Sequence, residues 1–331
     1  MTSPELSLVV TVRNEAARLP TLLDALGRQT LPTRRYELLV VDDASEDDTR
    51  AIAGRHPGAQ VIALPAHAGL PAGRNVGVRW ALAPVIVFTD GDCVPSADWL
   101  ERGLERLRET GAEILAGGID MPLSSHPSIA ALVDATVYFD QEGYTRAGFG
   151  AGANLWISRE VFERFGLFNE RVGMYGDEAE LCQRAVRGGA RLVYAPDVSL
   201  VHPPRWRLRD LVRKSYLQGR GGAAHRRFGS GALHEQRPLF LSWRSYAPRR
   251  RIRGVDRLRR QAFQPSRSQL LGLYLGQYAM VRLPRLLGAV AGEVRHAVGG
   301  PARASSPQPP VLLPPLANGG EPSWLRSIRR D

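Results

Sequence analysis

Lysine is nearly absent from this 331-residue chain: 43 of its 44 basic residues are arginine, and Lys214 is the exception. No binding chemistry requires every surface cation to be Arg, so the bias reads first as genomic base composition. Cysteine occurs twice, at Cys93 and Cys182. Two thiols so far apart exclude a disulfide-stapled scaffold and are expected to be free and buried in a reducing compartment. Long hydrophobic runs are missing too. The best, residues 270–281, is cut off by Arg282, Pro284 and Arg285, short of the roughly 20 apolar residues a membrane-spanning helix needs. An amphipathic interfacial helix, or a helical hairpin packed on the rest of the chain, fits that segment better. The opening MTSPELSLVVTVRNE has no basic n-region and only a short apolar run, so no secretory signal is expected there. Internal repeats are absent. What is present is ordinary: 44% hydrophobic and 7% aromatic residues, enough for a packed core, in a length that suits one large domain plus an appendage.

Acidic residues are scarce beyond position 204. Residues 1–204 hold 19 Arg against 27 Asp and Glu, a net charge of −8. Residues 205–300 hold 20 Arg and Lys214 against Asp210, Glu235, Asp256 and Glu293, a net of +17. The last stretch, 301–331, is rich in Pro, Ser and Gly, carries +2, and is expected to be a flexible tail. An acidic front and a basic back read as regions with separate tasks.

Along the first 120 residues, apolar β-branched runs alternate with helical patterns. Strands are expected at 6–12, 36–41, 60–64 and 85–89, and helices at 16–29, 47–54 and 72–81. This β-α rhythm predicts an α/β fold, a parallel sheet covered by helices on both faces. Such sheets bind ligands beyond the carboxyl ends of their strands. The polar segments 13–15, 42–48 and 90–92 are therefore expected on one rim. Further on, the patterns predict a helix at 97–110, a strand at 113–119, and a Gly-rich stretch, 148–160, leading into a helix at 160–165. A helix at 178–187 stops at Gly188-Gly189, a strand follows at 191–194, and basic helices are expected at 207–228 and 251–263.

The sharpest local signal is Thr89-Asp90-Gly91-Asp92, directly after the apolar run VIVF. Two carboxylates separated by one Gly at a strand end can share a divalent cation, and oxygen ligands suit Mg²⁺ or Mn²⁺. A solvated Asp-Gly turn is the plainer reading. In Val40-Val41-Asp42-Asp43-Ala44-Ser45, Asp43 can accept hydrogen bonds from a base or a ribose, or cap a helix starting near Asp47. In Gly69-Leu70-Pro71-Ala72-Gly73-Arg74-Asn75-Val76-Gly77, small residues allow close backbone approach. Arg74 there can pair with phosphate or with the acidic rim, or be a solvated cation at a helix start.

Taken together, VVTVRNEAARLPTLLDALGRQT, VVDDASEDDT, GLPAGRNVG and VFTDGDCVP, followed by GANLWISREVFERFGLFNE and GDEAELCQRAVRGGARLVYAPDVSLVH, resemble the family 2 glycosyltransferases. The motifs stand in the family's order and cover about residues 5–204. The resemblance implies a GT-A catalytic domain over 1–204, with a mostly parallel sheet and a basic, mainly helical appendage over 205–300. It implies inverting transfer of a sugar from a nucleotide-diphosphate sugar to an acceptor hydroxyl, with Mg²⁺ or Mn²⁺ as cofactor. By position, Thr11, Arg13, Glu15 and Asp43 would cradle the nucleotide, and Arg74 and Asn75 would help orient it. Asp92 would be the main metal ligand and Asp90 would contact sugar or ribose. His202 falls where some relatives place a His near metal and diphosphate; a structural His is the alternative. The family's acid pair appears here in swapped order. Glu178 holds the position of the catalytic base, while Asp177 keeps the residue type one place earlier. Either carboxylate can take the acceptor proton, or both can simply favour the N-terminus of the helix. Asn169 stands where the family often has Asp, Trp156 suits an acceptor platform or a core, and Cys93 suits a buried thiol better than a soft ligand.

Against this stand a sugar-phosphate nucleotidyltransferase, which shares a similar sheet but expects a Gly-rich loop where Val12-Arg13-Asn14-Glu15 lies, and a non-catalytic nucleotide-sugar-binding protein. For residues 205–300 the readings are an anionic membrane surface near a cell-envelope, polysaccharide or lipid-linked acceptor, or a helical subdomain closing the acceptor side. Nucleic acid is opposed by the −8 of the first 204 residues. The expected location is cytoplasmic, at the inner face of the cell membrane.

Overall fold

The structure, a computed structural model, describes residues 3–229, 254–260 and 263–298. The expected tail at 301–331 lies outside them, as does part of the helix expected at 251–263. Four aliphatic runs, β1 (Leu6–Val12), β2 (Tyr36–Asp42), β3 (Ala59–Ala63) and β4 (Val85–Asp90), pair in parallel in the order β3-β2-β1-β4. Between them lie α1 (Leu19–Leu26), α2 (Thr49–Gly54) and α3 (Leu70–Trp80). Alternate residues point to opposite faces: Leu8 and Val10 join one hydrophobic core, and Val9 joins another on the far side. The register sets Thr11 beside both Val41 and Asp90, so the carboxyl ends of β1, β2 and β4 reach one rim.

Past β4 the sheet becomes mixed. β7 (Asn154–Ser158) lies between β4 and β6 (Ile114–Asp120), antiparallel to both. β8 (Leu192–Val201) runs parallel to β6, and the two-residue β5 (Val94–Pro95) pairs with β8. β7 corrects the reading of 148–160 as a mere approach to a helix; five residues after a Gly-rich stretch are too few to show a period. Asn154 locks it in place. Its Nδ2 donates to the Gly118 and Val198 carbonyls at 2.8 Å, and its Oδ1 accepts from the indole N–H groups of Trp99 and Trp156 at 3.1 Å. A buried amide with every group paired avoids the cost of an orphaned donor. Trp156 is therefore a core aromatic, fully buried. β8 is one long strand whose pairing jumps from Gly117–Ala195 to Gly118–Ser199. At that bulge any side chain on Gly118 would strike the Pro196 carbonyl.

The remaining helices are α4 (Trp99–Thr110), α5 (Ile129–Val137), α6 (Gln141–Arg146), α7 (Arg159–Phe165), α8 (Asp177–Arg187), α9 (Leu208–Phe228), α10 (Val255–Arg260), α11 (Arg267–Gly276) and α12 (Leu283–Val298), with a π turn, Gln277–Arg282, joining the last two. α5 and α6 were not anticipated. Each has a side-chain cap: Ser128 Oγ accepts from the Ala131 N–H, and Asp140 accepts from the Gly143 N–H. A third core joins Leu132, Val133 and Tyr138 to Leu211, Leu258, Leu273 and Val281, so the helices beyond residue 204 are built onto α5. Where α9 crosses α12, Gly219 lies against the Arg285 carbonyl and Gly288 against that of Tyr216, with no room for a Cβ at either. Among the described residues no helix is long and apolar enough to cross a membrane.

Candidate functional site

Thr89 Oγ1 donates to the Ala153 carbonyl at 2.9 Å and pins the end of β4. The turn beyond it sets Asp90 and Asp92 side by side. His202 arrives from the end of β8, its backbone N–H donating to the Asp120 carbonyl at 2.8 Å. The imidazole Nδ1 lies 3.0 Å from the Pro203 carbonyl. A carbonyl only accepts, so Nδ1 carries the hydrogen and Nε2 of the neutral ring keeps its lone pair. That lone pair faces Asp92 Oδ1 at 3.5 Å and Asp90 Oδ2 at 4.0 Å. Three electron-rich atoms meeting this way repel unless a proton or a cation lies among them. Donor atoms of Asp90, Asp92, Cys93 and His202 all fall within 4.8 Å of one another, and two carboxylates with an imidazole fit a small divalent ion. Cys93, fully buried, is the fourth member of this set. Burial, and after it Asp90 and Asp92, push its thiol well above the usual range. Both cysteines are free and buried, as expected. Crowding of acids shows elsewhere too: burial and then Asp92 raise the carboxyl pKa of both Asp90 and Glu15.

Across from this cluster, Arg74 of α3 reaches the start of α8. Its Nη1 donates to Asp177 Oδ2 at 2.6 Å and to Glu178 Oε2 at 3.5 Å, and Gly152 leaves the space the guanidinium fills. Asp177 is 0% exposed and its Oδ1 accepts no hydrogen bond, whereas the Glu178 side chain is 16% exposed. Two adjacent buried carboxylates do not both ionise, and the pair shares a proton. Burial, then Glu178, lift Asp177 well above the normal carboxyl range. Burial also works against the charge of Glu178, but Arg74 and a hydrogen bond from Asp177 outweigh it and lower its pKa. Burial thus favours the neutral form at Asp177, and Arg74 favours the charged form at Glu178.

The other rim residues are placed as follows. Thr11 is half-buried at the end of β1, packed against Gly73. Arg13 pairs with Glu46 at 3.3 Å, and Glu15 with Arg18 at 2.9 Å. Asp43 is buried and already engaged: it accepts from the N–H groups of Ala68 at 2.7 Å and Gly69 at 3.0 Å, and meets His67 Nδ1 at 2.8 Å. It therefore holds the turn into α3 and does not cap α2; near that helix Asp47 accepts from the Thr49 N–H at 3.0 Å. Asn75 is buried and engaged by the loop after α7. Its Oδ1 accepts from the Phe168 N–H at 2.9 Å, and its Nδ2 donates to the Phe168 carbonyl at 3.0 Å and to Glu170 at 2.8 Å, so what it orients is the loop before α8.

Several residues that shape the cleft carried no sequence signal. Arg205, three residues past His202, donates its backbone N–H to Asp134 Oδ2 at 2.8 Å, and its Nη1 is buried without a hydrogen-bond partner. Burial opposes its charge, but Tyr175, Asp134, Asp92 and Asp90 outweigh it. Lys214 of α9 donates to Asp134 at 3.1 Å, with burial pushing its pKa down to about 8, and its ammonium lies 4.7 Å over Phe139. The Phe139 ring in turn packs 4.4 Å from the imidazole of His202. Burial pushes the Tyr175 phenol up to about 12. Among the described residues, the non-glycine positions with positive φ are Asn14 (55°), Ala44 (54°), Phe139 (57°) and Tyr175 (70°). They follow β1, follow β2, touch His202 and precede the acid pair. Strain of this kind costs about 1–3 kcal/mol per residue and gathers at working sites.

The mixed sheet with acids at the carboxyl ends of its strands has the GT-A fold, and solved structures of glycosyltransferases resemble it. The mannosyltransferase PcManGT from Pyrobaculum calidifontis, in complex with GDP-Man and Mn²⁺, superposes with a TM-score of 0.54 at 20% identity, covering 92% of this chain and 78% of its own. S. aureus TarS 1-349 in complex with UDP-GlcNAc gives 0.50 at 14%, covering 90% and 93%. At those identities the likeness bears on the fold. Residues 7–166 match the family described as Glycosyl transferase family 2. Glycosyltransferase AglE of Haloferax volcanii is 30% identical over 225 residues, 66% of this chain and 73% of AglE. The pre-mycofactocin glycosyltransferase of Mycobacterium tuberculosis is 25% identical over 228 residues, 65% of this chain and 46% of that protein. The chain belongs to glycosyltransferase family 2.

Proposed function

We propose that this glycosyltransferase moves a sugar from a nucleotide-diphosphate donor to an acceptor hydroxyl with inversion, Glu178 acting as base and Asp92, Asp90 and His202 holding Mg²⁺ or Mn²⁺. The observation that carries the reading is the convergence of His202 Nε2 with Asp92 Oδ1 at 3.5 Å and Asp90 Oδ2 at 4.0 Å, across the cleft from Glu178. GDP-Man with Mn²⁺ in PcManGT and UDP-GlcNAc in TarS support a donor of this class. When bound, the cation would neutralise charge on the departing diphosphate. The chain's own groups do the rest. Arg205, whose charge is favoured by Tyr175, Asp134 and the two aspartates, offers a further cation to phosphate. Thr11, Arg13, Glu15 and the turn held by Asp43 frame the nucleotide. Glu178, kept ionised by Arg74, accepts the proton of the attacking hydroxyl. Neutral Asp177 donates to Glu178 and fixes its direction. Attack from the side opposite the leaving diphosphate inverts the anomeric centre. Residues 1–204 carry this chemistry, with Arg205 and Lys214 closing the cleft from the basic region. The acceptor is a cell-envelope, polysaccharide or lipid-linked glycan, met from the cytoplasmic side with the basic region against an anionic membrane surface.

A thermal-shift panel of nucleotide-sugars with Mn²⁺ tests the donor and the metal together, since a ligand bound only by the folded state raises apparent stability. One donor is expected to stabilise the wild type with Mn²⁺, and far less with chelator or in Asp92→Ala. Stabilisation that survives chelator undiminished would remove the metal from the site.

A further inference from the structure

α11, the π turn and α12 form one continuous helical run whose two edges differ. The inner edge is made of small residues: Gly272 and Gly276 rest on Ile129 and Val133 of α5, and Gly288 and Gly292 on Tyr216 and Ala223 of α9. The outer edge is apolar and bare. Leu271, Leu275 and Tyr278, then Leu283, Leu287, Val290 and Val294, are each between 42% and 60% exposed. Between the exposed Arg267 and the exposed Arg295, no charged side chain is among the exposed ones. A solvent-facing helix ordinarily shows charge there.

The spacing shows how the stripe stays on one face. Its members recur every three or four residues, as a helix face requires, except for a step of five from Tyr278 to Leu283. In an α-helix of 3.6 residues per turn that step would swing the second half of the stripe well round the axis. The π turn Gln277–Arg282 lies across this step, and its wider winding absorbs the extra residue. Leu271 and Val294 thus fall on one face of the run, and the 23 positions separating them correspond to a contour of roughly 35 Å at 1.5 Å per residue. Contiguous apolar surface of this extent marks a docking face.

We propose that this ridge lies flat in an anionic lipid bilayer, sunk among the acyl chains, with Arg267, Arg295 and neighbouring arginines at the level of the lipid phosphates. Charge complementarity selects the occupant. Residues 205–300 carry a net +17, which suits anionic headgroups and opposes face-to-face pairing with a second copy. No described helix can cross a membrane, so the run lies on the surface. At the α5 end, Trp206 stands 64% exposed with its carbonyl held by Ser128, the residue before Ile129, and an aromatic of this kind suits the headgroup layer. The inference rests on the membrane-surface reading above and assigns it a face.

Flotation of the full chain with phosphatidylglycerol-containing vesicles, against vesicles of phosphatidylcholine alone, tests it. The wild type is expected to float with the anionic vesicles and to release as salt rises. Leu275→Glu/Leu287→Glu should cut partitioning at least about tenfold, with Leu275→Ser/Leu287→Ser falling between. Both variants should keep the wild-type rate of donor hydrolysis without vesicles, which shows that they are folded. A wild type that ignores anionic vesicles defeats the membrane reading as a whole. Binding that both variants retain overturns only the assignment to this ridge. A vesicle-independent dimer, dissolved by the same substitutions in light scattering, gives the ridge to a second copy and overturns the proposal.

Discussion

In the cleft at the sheet ends, Asp90, Asp92, Glu178 and Asp177 lie close to Arg74, Arg205 and His202, mostly shielded from water, and their protonation states depend on one another. Along α11 and α12 the arrangement is reversed, with small residues inside and apolar side chains facing out. Both regions depart from the usual pattern of a folded domain, and each departure costs stability that the proposed partner would recover. The cleft tolerates crowded like charges, and the ridge tolerates wetted hydrocarbon. The difference separates the site proposed for an ion and a phosphate from the face proposed for a membrane surface.

The largest expected effect breaks the comparison on the cleft side. Asp92→Ala should lower kcat/KM for the donor at least about 10³-fold, the worth of roughly 4 kcal/mol of charge stabilisation, with little change in Tm. Steady-state transfer with Mn²⁺ checks it. Within the acid pair, Glu178→Gln should cost about 10²–10⁴ in kcat while nucleotide binding by calorimetry persists. Asp177→Asn should cost less than about tenfold, because an amide replaces an acid that is already neutral. The opposite ranking would move the base to Asp177. Arg74→Met sharpens the electrostatic account. Arg74 lowers the pKa of Glu178, so without it the pair holds its proton to higher pH, and the acid limb of the kcat profile should move up by about one unit or more. The smallest effect falls on the helical side. Gly288→Leu forces a side chain against the Tyr216 carbonyl, and should lower stability by about 1–3 kcal/mol in denaturant titration with kcat per folded enzyme unchanged.

How much was legible in the chain differs between these regions for a physical reason. β1 to β4 and their helices show as periodic runs because each is long enough to repeat its pattern; Asp90 and Asp92 were singled out because they follow such a run, and His202 through its place in the family's motif. β7 was missed, since its placement depends on the Asn154 side chain bonding two distant backbones. Asp43 and Asn75 illustrate a second limit. Their residue types suit ligand binding, yet which donors they meet depends on loops brought up from 25 and 93 positions away. The swapped acid pair is the third. Spacing left Asp177 and Glu178 equivalent, and only burial and the approach of Arg74 distinguish them.

By itself the sequence determined the alternation of strand and helix, the acidic rim and the change of charge at residue 204, because hydrophobic period and charge are local properties of the chain. Tertiary structure alone decided that burial raises the Asp177 carboxyl while Arg74 lowers that of Glu178, which polar side chains are consumed by the scaffold, and which apolar side chains of α11 and α12 are left exposed. Those outcomes depend on desolvation, contact and helix phase, and each arises only when distant segments are brought together.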